Sequence, residues 1–271
     1  MSSNHMRGRV RAGYPSDLSD RQWSQLAGLL KRSKGPGRRP VHSRRLIVNA
    51  IRYLVRTGCA WRYLPQQFPP WKTVYWHFCR MQDTGLLQRI HDHLIRRCRR
   101  RADRAQQPSA AIIDSASMRA ADTVHRLGRG WDNGKKVNGR KRHVAVDTQG
   151  LILAVTITPA NRHDSTAARD LLTDVNKRYP RINLTWADTA YQGKLVGYAD
   201  THLGIDIHIV RKHPGQTTFT VLPRRWVVER SLAWLSKHRR LTRDYETNPT
   251  RQIAMIHWAS TTWMLNRLTQ Q

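Results

Sequence analysis

The sequence predicts two regions of different fold class: an all-α region at the N-terminus, then an α/β layer in which helices flank a mixed β-sheet. Apolar residues recur at helical spacing through about the first 100 residues. After Pro108, short apolar or alternating segments typical of strands are interspersed with helical segments. Between them lies an arginine-rich run, which predicts a linker because like charges repel. We therefore expect a helical domain over residues 1–100, a basic linker over 101–109 and an α/β domain over 110–271.

Four helices are expected in the N-terminal region from their apolar spacing and from start and stop signals. Residues 17–20 offer a cap for the first helix, and Ser43 caps the second, which Gly58 ends. Two Pro and two Gly in residues 34–40 exclude a helix between them. The predicted extents are about 20–30, 44–57, 73–84 and 86–97.

The α/β region opens with a short apolar strand, continues with a hairpin that turns at residues 148–150, and then alternates helices with strands. This order predicts a mixed sheet covered by helices. The predicted strands are 110–114, 142–147, 151–158, 182–188 and 205–210, and the predicted helices are 164–178, a short segment after residue 188, 225–243 and 253–268.

The charge of the chain points to a polyanionic partner. It carries 48 Lys and Arg against 18 Asp and Glu, a formal net charge of +30. Nucleic acid is the leading candidate, because each cation that neutralises a phosphate releases a condensed counterion. A surface charged only for solubility and a face for anionic membranes are the alternatives, although no basic amphipathic helix stands out. Composition does not separate DNA from RNA.

The chain predicts a cytoplasmic, reducing location. The longest apolar run, about residues 151–157, is far shorter than a membrane span, and the N-terminus has no apolar stretch of a secretory signal. Its three cysteines never form a C-x-x-C pair, which argues against a disulfide framework or a zinc ribbon.

Two acidic residues end predicted strands and are candidates for a metal site. Asp114 follows residues 110–113, and Asp188 follows residues 184–187. The carboxyl ends of strands are where sites form in open α/β sheets, although a charge there can also simply end a strand. If the strands are neighbours, the two carboxylates repel each other unless a cation lies between them. Mg²⁺ suits such a pair because it binds one or two carboxylates together with water and phosphate oxygens.

Glu229 is a third candidate, on the predicted helix over residues 225–243. A helical wheel places it opposite the apolar side and next to Arg225. One interpretation is a surface ion pair between Arg225 and Glu229, four residues apart. The other is a carboxylate that reaches the metal site, on a helix whose arginines hold phosphates.

A basic segment over residues 134–143 leads into the predicted hairpin. Five of its ten residues are Lys or Arg, and two Gly let the backbone approach a ligand closely. A solvated loop is one interpretation, and a clamp for DNA phosphates beside the carboxylates is the other. The cations are Lys135, Lys136, Arg140, Lys141 and Arg142.

Motifs along almost the whole chain resemble bacterial insertion-sequence transposases of the DDE type, in particular the insertion sequence five group. The N-terminal motifs are residues 18–23, 37–40, 56–65 and 70–75. The motifs of the catalytic part are residues 113–117, 134–136, 139–143, 146–150, 158–161, 187–191, 226–230 and 239–241. Each motif is weak alone, and together they are specific.

The resemblance implies a catalytic domain similar to ribonuclease H, with Asp114, Asp188 and Glu229 as the catalytic and metal-binding triad. It implies two Mg²⁺ ions, with Mn²⁺ able to substitute, and self-association to at least a dimer on DNA. The family signature around the glutamate also has Arg four residues earlier, which matches Arg225. Leu222 stands where the family has Tyr, and Ser236 where it has Lys, with Lys237 adjacent. Arg225 and Lys237 are therefore expected to contact DNA.

The N-terminal domain of the family is taken to bind terminal inverted repeats. Arg38 and Arg39 lie between Gly37 and Pro40 and could enter a minor groove, or form part of an exposed linker. We hypothesise a transposase that cuts the double-stranded ends of its own element and joins them to target DNA. The alternatives are a nuclease on the same fold, a non-catalytic DNA-binding protein derived from a transposase, and an RNA-binding protein.

Overall fold

The computed structural model describes residues 13–31, 41–211 and 224–270. Its N-terminal part is helical, as predicted. Ser19 caps α1 in a reciprocal arrangement with Gln22, and Ser43 caps α2 by accepting a hydrogen bond from the Leu46 N–H. Gly58 ends α2 with a φ of +76°, a conformation that suits glycine. The helices are α1 (Asp20–Leu26), α2 (Arg44–Thr57), α3 (Trp71–Asp83) and α4 (Leu86–Arg101).

The arginine-rich run is helical up to Arg101, which corrects the predicted end of this helix at about residue 97 and places the connection to the first strand after it. Helix α4 continues through residues 98–101 because two of them are held in the interior. Cys98 packs in the core, and Arg99 forms a buried ion pair with Asp147, the residue that follows the third strand. Tertiary contacts thus outweigh the repulsion between neighbouring arginines.

In the described part of the chain, six strands form one mixed sheet. They are β1 (Ala110–Arg119), β2 (Gly130–Asp132), β3 (Val137–Val146), β4 (Ile152–Pro159), β5 (Leu184–Ala187) and β6 (Asp206–Ile209). Strand β3 pairs antiparallel with β1 on one side, and with β2 and β4 on the other. Strands β1, β5 and β6 are parallel neighbours. The resulting order, β4-β3-β1-β5-β6, is that of a ribonuclease H-like fold, so the predicted fold class is confirmed.

Helices cover the sheet and join it to the N-terminal region. Helix α5 packs on β3 and β4, and α7 packs on β1 and β3. Helix α8 contacts β4 together with α1, α2, α3 and α4, so the N-terminal helices and the sheet share one hydrophobic core. The helices are α5 (Asp164–Arg178), α6 (Lys194–Leu203), α7 (Arg225–Ser236) and α8 (Pro249–Thr269). Within the described ranges, no helix is both long and apolar enough to span a membrane.

The helix predicted over residues 225–243 is shorter than expected. Helix α7 ends at Ser236, and a separate short turn covers Arg239–Leu241. Arg240 is buried in that turn, where its guanidinium pairs with Glu246 at 2.7 Å. The chain must change direction after α7 for Arg240 to reach Glu246. The apolar periodicity of the sequence contains no signal of this change, so it predicts one continuous helix.

Candidate active site

Asp114 on β1 lies beside Asp188, the residue that follows the neighbouring strand β5. In the parallel pair of β1 and β5, Ile112 stands opposite Trp186. The backbone at Asp188 is extended, with φ −85° and ψ −179°, so the same register continued by two residues places Asp188 next to Asp114. Neighbouring strands are about 4.8 Å apart, which brings the two carboxylates within reach of one ligand.

The environment of Asp114 disfavours its charged form. Burial, and to a smaller extent the charge of Asp188, raise the pKa of Asp114 to about 6. A hydrogen bond from the Ser115 N–H, at 2.7 Å, and the charges of Arg225 and Lys135 act in the opposite direction. A cation bound next to Asp114 would therefore favour its ionised form at neutral pH.

The strand that carries Asp114 does not end there, which corrects the expectation from the sequence. Strand β1 continues to Arg119, and Asp114 lies in its middle, opposite Val144 of β3. The continuation is less apolar than residues 110–113, so the sequence underestimates the strand. Pairing with β3 along the whole length of β1 stabilises it.

Glu229 approaches the two aspartates through Arg225. The Arg225 guanidinium nitrogen Nη2 lies 3.2 Å from Oε1 of Glu229 and 3.7 Å from Oδ2 of Asp188. The ion pair between Arg225 and Glu229, which was one of the two interpretations of Glu229, is therefore present. Because Arg225 also pairs with Asp188, it connects Glu229 to the two aspartates. Half of the Glu229 side chain is exposed, whereas Arg225 is mostly covered.

The donor atoms of the site fit a magnesium ion held by two carboxylates. Mg²⁺ commonly uses one or two carboxylates and completes its shell with water and phosphate oxygens. Across the three described ranges, no group of three His, Cys, Asp or Glu side chains is arranged to hold one ion. Glu229 faces a guanidinium instead, so its participation requires Arg225 to move away.

Tyr191 is a site residue to which the sequence assigned no role. It ends the short turn Thr189–Tyr191 and is almost fully buried. Burial is the main cause that raises the pKa of its phenol well above 10, and the charges of Asp114, Asp164 and Asp188 add to it. A neutral phenol thus lies close to three carboxylates. The only signal in the sequence was its place in the motif over residues 187–191.

Of the three lysines of the predicted basic segment, Lys135 reaches towards the site, Lys136 lies on the surface and Lys141 is largely covered. Nζ of Lys135 lies 3.5 Å from the carbonyl oxygen of Ser115, next to Asp114. Lys136 is exposed in the turn between β2 and β3. Lys141 forms an ion pair with Asp164 at 3.1 Å.

Arg140 and Arg142 are buried, which corrects their assignment to a DNA clamp. The guanidinium of Arg140 donates to the carbonyl oxygens of Gly128, Glu246 and Thr247 and pairs with Asp244. Burial lowers the pKa of Arg142 to about 10, while the charge of Asp244 opposes this shift. Since strand pairing turns both side chains inward, they stabilise the fold and do not reach a phosphate backbone.

Of the remaining predicted DNA contacts, Lys237 lies away from the acids, and Arg38 and Arg39 lie outside the described residues. Lys237 is exposed after the end of α7, two turns beyond Glu229, and its carbonyl oxygen accepts a hydrogen bond from Arg56 at 2.8 Å. Eight residues of helix correspond to about 12 Å. Arg38, Arg39 and Leu222 lie outside the described residues.

The fold and the site define a class of protein. A ribonuclease H-like sheet with adjacent aspartates on parallel strands, and a glutamate on a helix packed beside them, is suited to metal-assisted phosphoryl transfer on nucleic acid. A family model for the transposase DDE domain matches residues 105–265, which contain Asp114, Asp188 and Glu229. A model for transposases of the IS4/5 family matches residues 18–91.

The chain belongs to the DDE transposases of insertion sequences. It is also similar to the insertion element IS402 uncharacterized 16.2 kDa protein of Burkholderia cepacia. The two are 34% identical over 119 residues, which is 41% of this chain and 79% of the relative. The predicted family is confirmed, and with it come DNA as the partner and divalent metal ions as the cofactors that this family generally uses.

Proposed function

We propose that the chain binds the inverted-repeat ends of its insertion sequence, cleaves them and joins them to target DNA by two-metal phosphoryl transfer. The observation that carries the proposal is the register of β1 and β5, which sets Asp114 beside Asp188. Their adjacent carboxylates supply the oxygen donors that a phosphodiester-cleaving metal site needs. The basic surface supplies the affinity for DNA.

Asp114 and Asp188 would hold Mg²⁺, or Mn²⁺ in its place, and Glu229 would complete a second metal position. When bound, the ions supply an activated attacking oxygen and stabilise the leaving oxygen of the scissile phosphate. The N–H groups of Ser115 and Ala190 orient the aspartates, since they donate to Asp114 Oδ1 at 2.7 Å and Asp188 Oδ1 at 2.9 Å. Rotamer freedom is thereby restricted before substrate binds.

Arg225 changes partners during binding in this proposal. Its guanidinium pairs with Asp188 and Glu229, so it is a cation at the site where a scissile phosphate would bind. Transfer of Arg225 from the carboxylates to a phosphate would free Glu229 and position the strand. Lys135, Lys136, Lys141 and Lys237 would contact phosphates further along the DNA.

The N-terminal region would recognise the ends, and its residues Arg38 and Arg39 would contact the groove. The proposed division is a DNA-binding domain over residues 1–100, a basic linker over 101–109 and a catalytic domain over 110–271. Bringing two ends together requires at least two copies of the chain on DNA.

A cleavage and strand-transfer assay on DNA that carries the element's ends tests the proposal. Asp114→Asn, Asp188→Asn and Glu229→Gln are each expected to abolish cleavage with Mg²⁺ and to leave DNA binding intact. Asp200→Asn, an exposed aspartate on α6, is the matched control and should retain full activity. Full activity of a triad variant would remove that residue from the site, and cleavage without joining would favour a nuclease on this fold.

A further inference from the structure

A cavity of about 410 Å³ lies beside α7, and three arginines line it without any carboxylate. Arg230 comes from α7, Arg267 from α8 and Arg101 from the end of α4. The turn after β3 closes the cavity with Thr148 and Gln149. Three acids stand next to lining residues in the sequence: Asp103, Asp147 and Glu229. Asp147 pairs with Arg99 and Glu229 with Arg225, and among the described residues no carboxylate forms an ion pair with the three arginines. The cavity thus concentrates positive charge that the described residues do not neutralise.

Aromatic rings hold two of these arginines in place. The Arg230 guanidinium lies 4.4 Å from the ring centre of Trp226 and 4.7 Å from that of Trp234. The Arg267 guanidinium lies 4.6 Å from the ring of Trp263, which in turn packs on Trp234 at 4.5 Å. Cation–π contacts orient the guanidinium groups and leave their charge intact.

The remaining contacts fix Arg230 and Arg101 to the backbone. Arg230 donates to the carbonyl oxygen of Gln149 at 3.1 Å, and Arg101 donates to that of Leu268 at 2.6 Å. Burial, followed by the charge of Arg267, lowers the pKa of Arg230. The fold thus holds the guanidinium groups of Arg230 and Arg267 close enough to repel each other. An anion bound between them would stabilise this arrangement.

The position of the cavity relates it to the DDE site. Arg230 follows Glu229 directly, so the two side chains leave α7 on adjacent faces. Val144 lies opposite Asp114, and β3 ends two residues later, before the turn that contributes Thr148 and Gln149 to the cavity. Helix α7 thus carries residues of both the cavity and the DDE site.

We infer that Arg101, Arg230 and Arg267 form a phosphate-binding cavity that holds a phosphate of the DNA backbone other than the scissile one. The inference rests on the proposed function, because it adds a contact to the same DNA. A phosphodiester fits the charge, and the planar guanidinium groups suit its oxygens. The cavity would fix the register of the strand on the enzyme and carry no sequence preference.

The test measures binding of a fluorescein-labelled 30-base-pair duplex by anisotropy between 50 and 300 mM NaCl, on the order of the range in which phosphate contacts are resolved. Arg267→Gln is expected to weaken binding roughly five- to tenfold at 150 mM and to lower the salt slope by about 1. Arg230→Gln with Arg267→Gln should lower the slope by about 2. The matched control is Arg169→Gln, which removes an exposed arginine that lies on the ring of Tyr198 and does not line the cavity.

A second arm separates DNA phosphate from free phosphate. The melting temperature of the wild type and of Arg267→Gln is measured with and without inorganic phosphate. Equal salt slopes for Arg267→Gln and Arg169→Gln would overturn the inference, and so would a phosphate-dependent rise in melting temperature together with unchanged DNA binding. If the wild type does not bind DNA, the proposed function itself is wrong. If the wild type binds DNA and Arg267→Gln has the same salt slope, only the inference about the cavity is wrong.

Discussion

Arg225 and Glu229 form an ion pair across one turn of α7, with 3.2 Å between Nη2 and Oε1. The same guanidinium nitrogen lies 3.7 Å from Asp188. One arginine therefore neutralises part of the charge of two carboxylates that the proposed metal site needs. A divalent cation and Arg225 compete for the same oxygens, whereas a DNA phosphate and these carboxylates compete for the same arginine.

Removal of the Arg225 charge should strengthen metal binding and weaken catalysis. For Arg225→Gln we expect roughly tenfold tighter binding of Mn²⁺, because two acceptors lose their internal cation. DNA cleavage should fall, since the scissile strand loses a phosphate contact. Electron paramagnetic resonance of free Mn²⁺ measures the affinity, and Arg225→Lys, which keeps the charge, is the control. Unchanged Mn²⁺ affinity in the glutamine variant would contradict the competition.

The raised pKa of Asp114 predicts a pH-dependent cost to stability. The folded protein binds the Asp114 proton up to about pH 6, whereas a carboxyl of the unfolded chain loses it near its model value of 3.8. Stability without metal therefore falls as the pH rises between these values. Asp114→Asn removes this loss, so it should stabilise the protein by about 2–3 kcal/mol at pH 7.5 and by much less at pH 4.

Urea unfolding at the two pH values, in the presence of a chelator, measures this difference. Asp200→Asn, which changes an exposed carboxylate, should show no comparable dependence on pH. An equal effect of Asp114→Asn at both pH values would show that the carboxyl titrates normally.

The buried pair of Arg99 and Asp147 should be essential for stability. Asp147 is fully buried and also accepts hydrogen bonds from the N–H groups of Gln149 and Leu151, at 2.9 and 2.8 Å. Arg99→Met leaves this carboxylate without its cation, and we expect a loss of about 3–5 kcal/mol in the free energy of unfolding. Adding Asp147→Asn should recover part of the loss, as measured by urea denaturation of the four proteins of the cycle. Additive losses would mean that the two residues act independently.

Gly139 should tolerate no side chain. A Cβ atom there would lie 1.8 Å from the carbonyl oxygen of Met118, on the neighbouring strand β1. Gly139→Ala must separate β1 from β3, so we expect a large drop in melting temperature or failure to fold. Gly197→Ala is the matched control, because a Cβ atom on that helical glycine meets nothing within 4 Å. This control should gain about 0.5–1 kcal/mol, and circular dichroism with thermal melting compares the two.

Local patterns predicted a large part of the fold. Capping residues and glycines such as Ser19, Ser43 and Gly58 mark helix ends in the sequence and in the structure, because capping depends on neighbouring backbone groups. The hairpin of β3 and β4 and the helix α5 also follow from local periodicity. Elements whose ends depend on distant partners were misjudged: β1 is longer than predicted, α4 continues through the arginines, and α7 ends early.

The sequence by itself determined the class of this protein, since its motifs, its surplus of positive charge and the three sparse acids are visible without any contact. Only the tertiary structure decided what each charged side chain does. Lys135 and Arg140 stand five residues apart in one basic segment, yet one reaches towards Asp114 and the other is buried against Asp244. The physical reason is that burial and pairing depend on strands and helices far away in the chain. A linear pattern of charges does not contain these partners, whereas the register of β1, β3 and β5 specifies them.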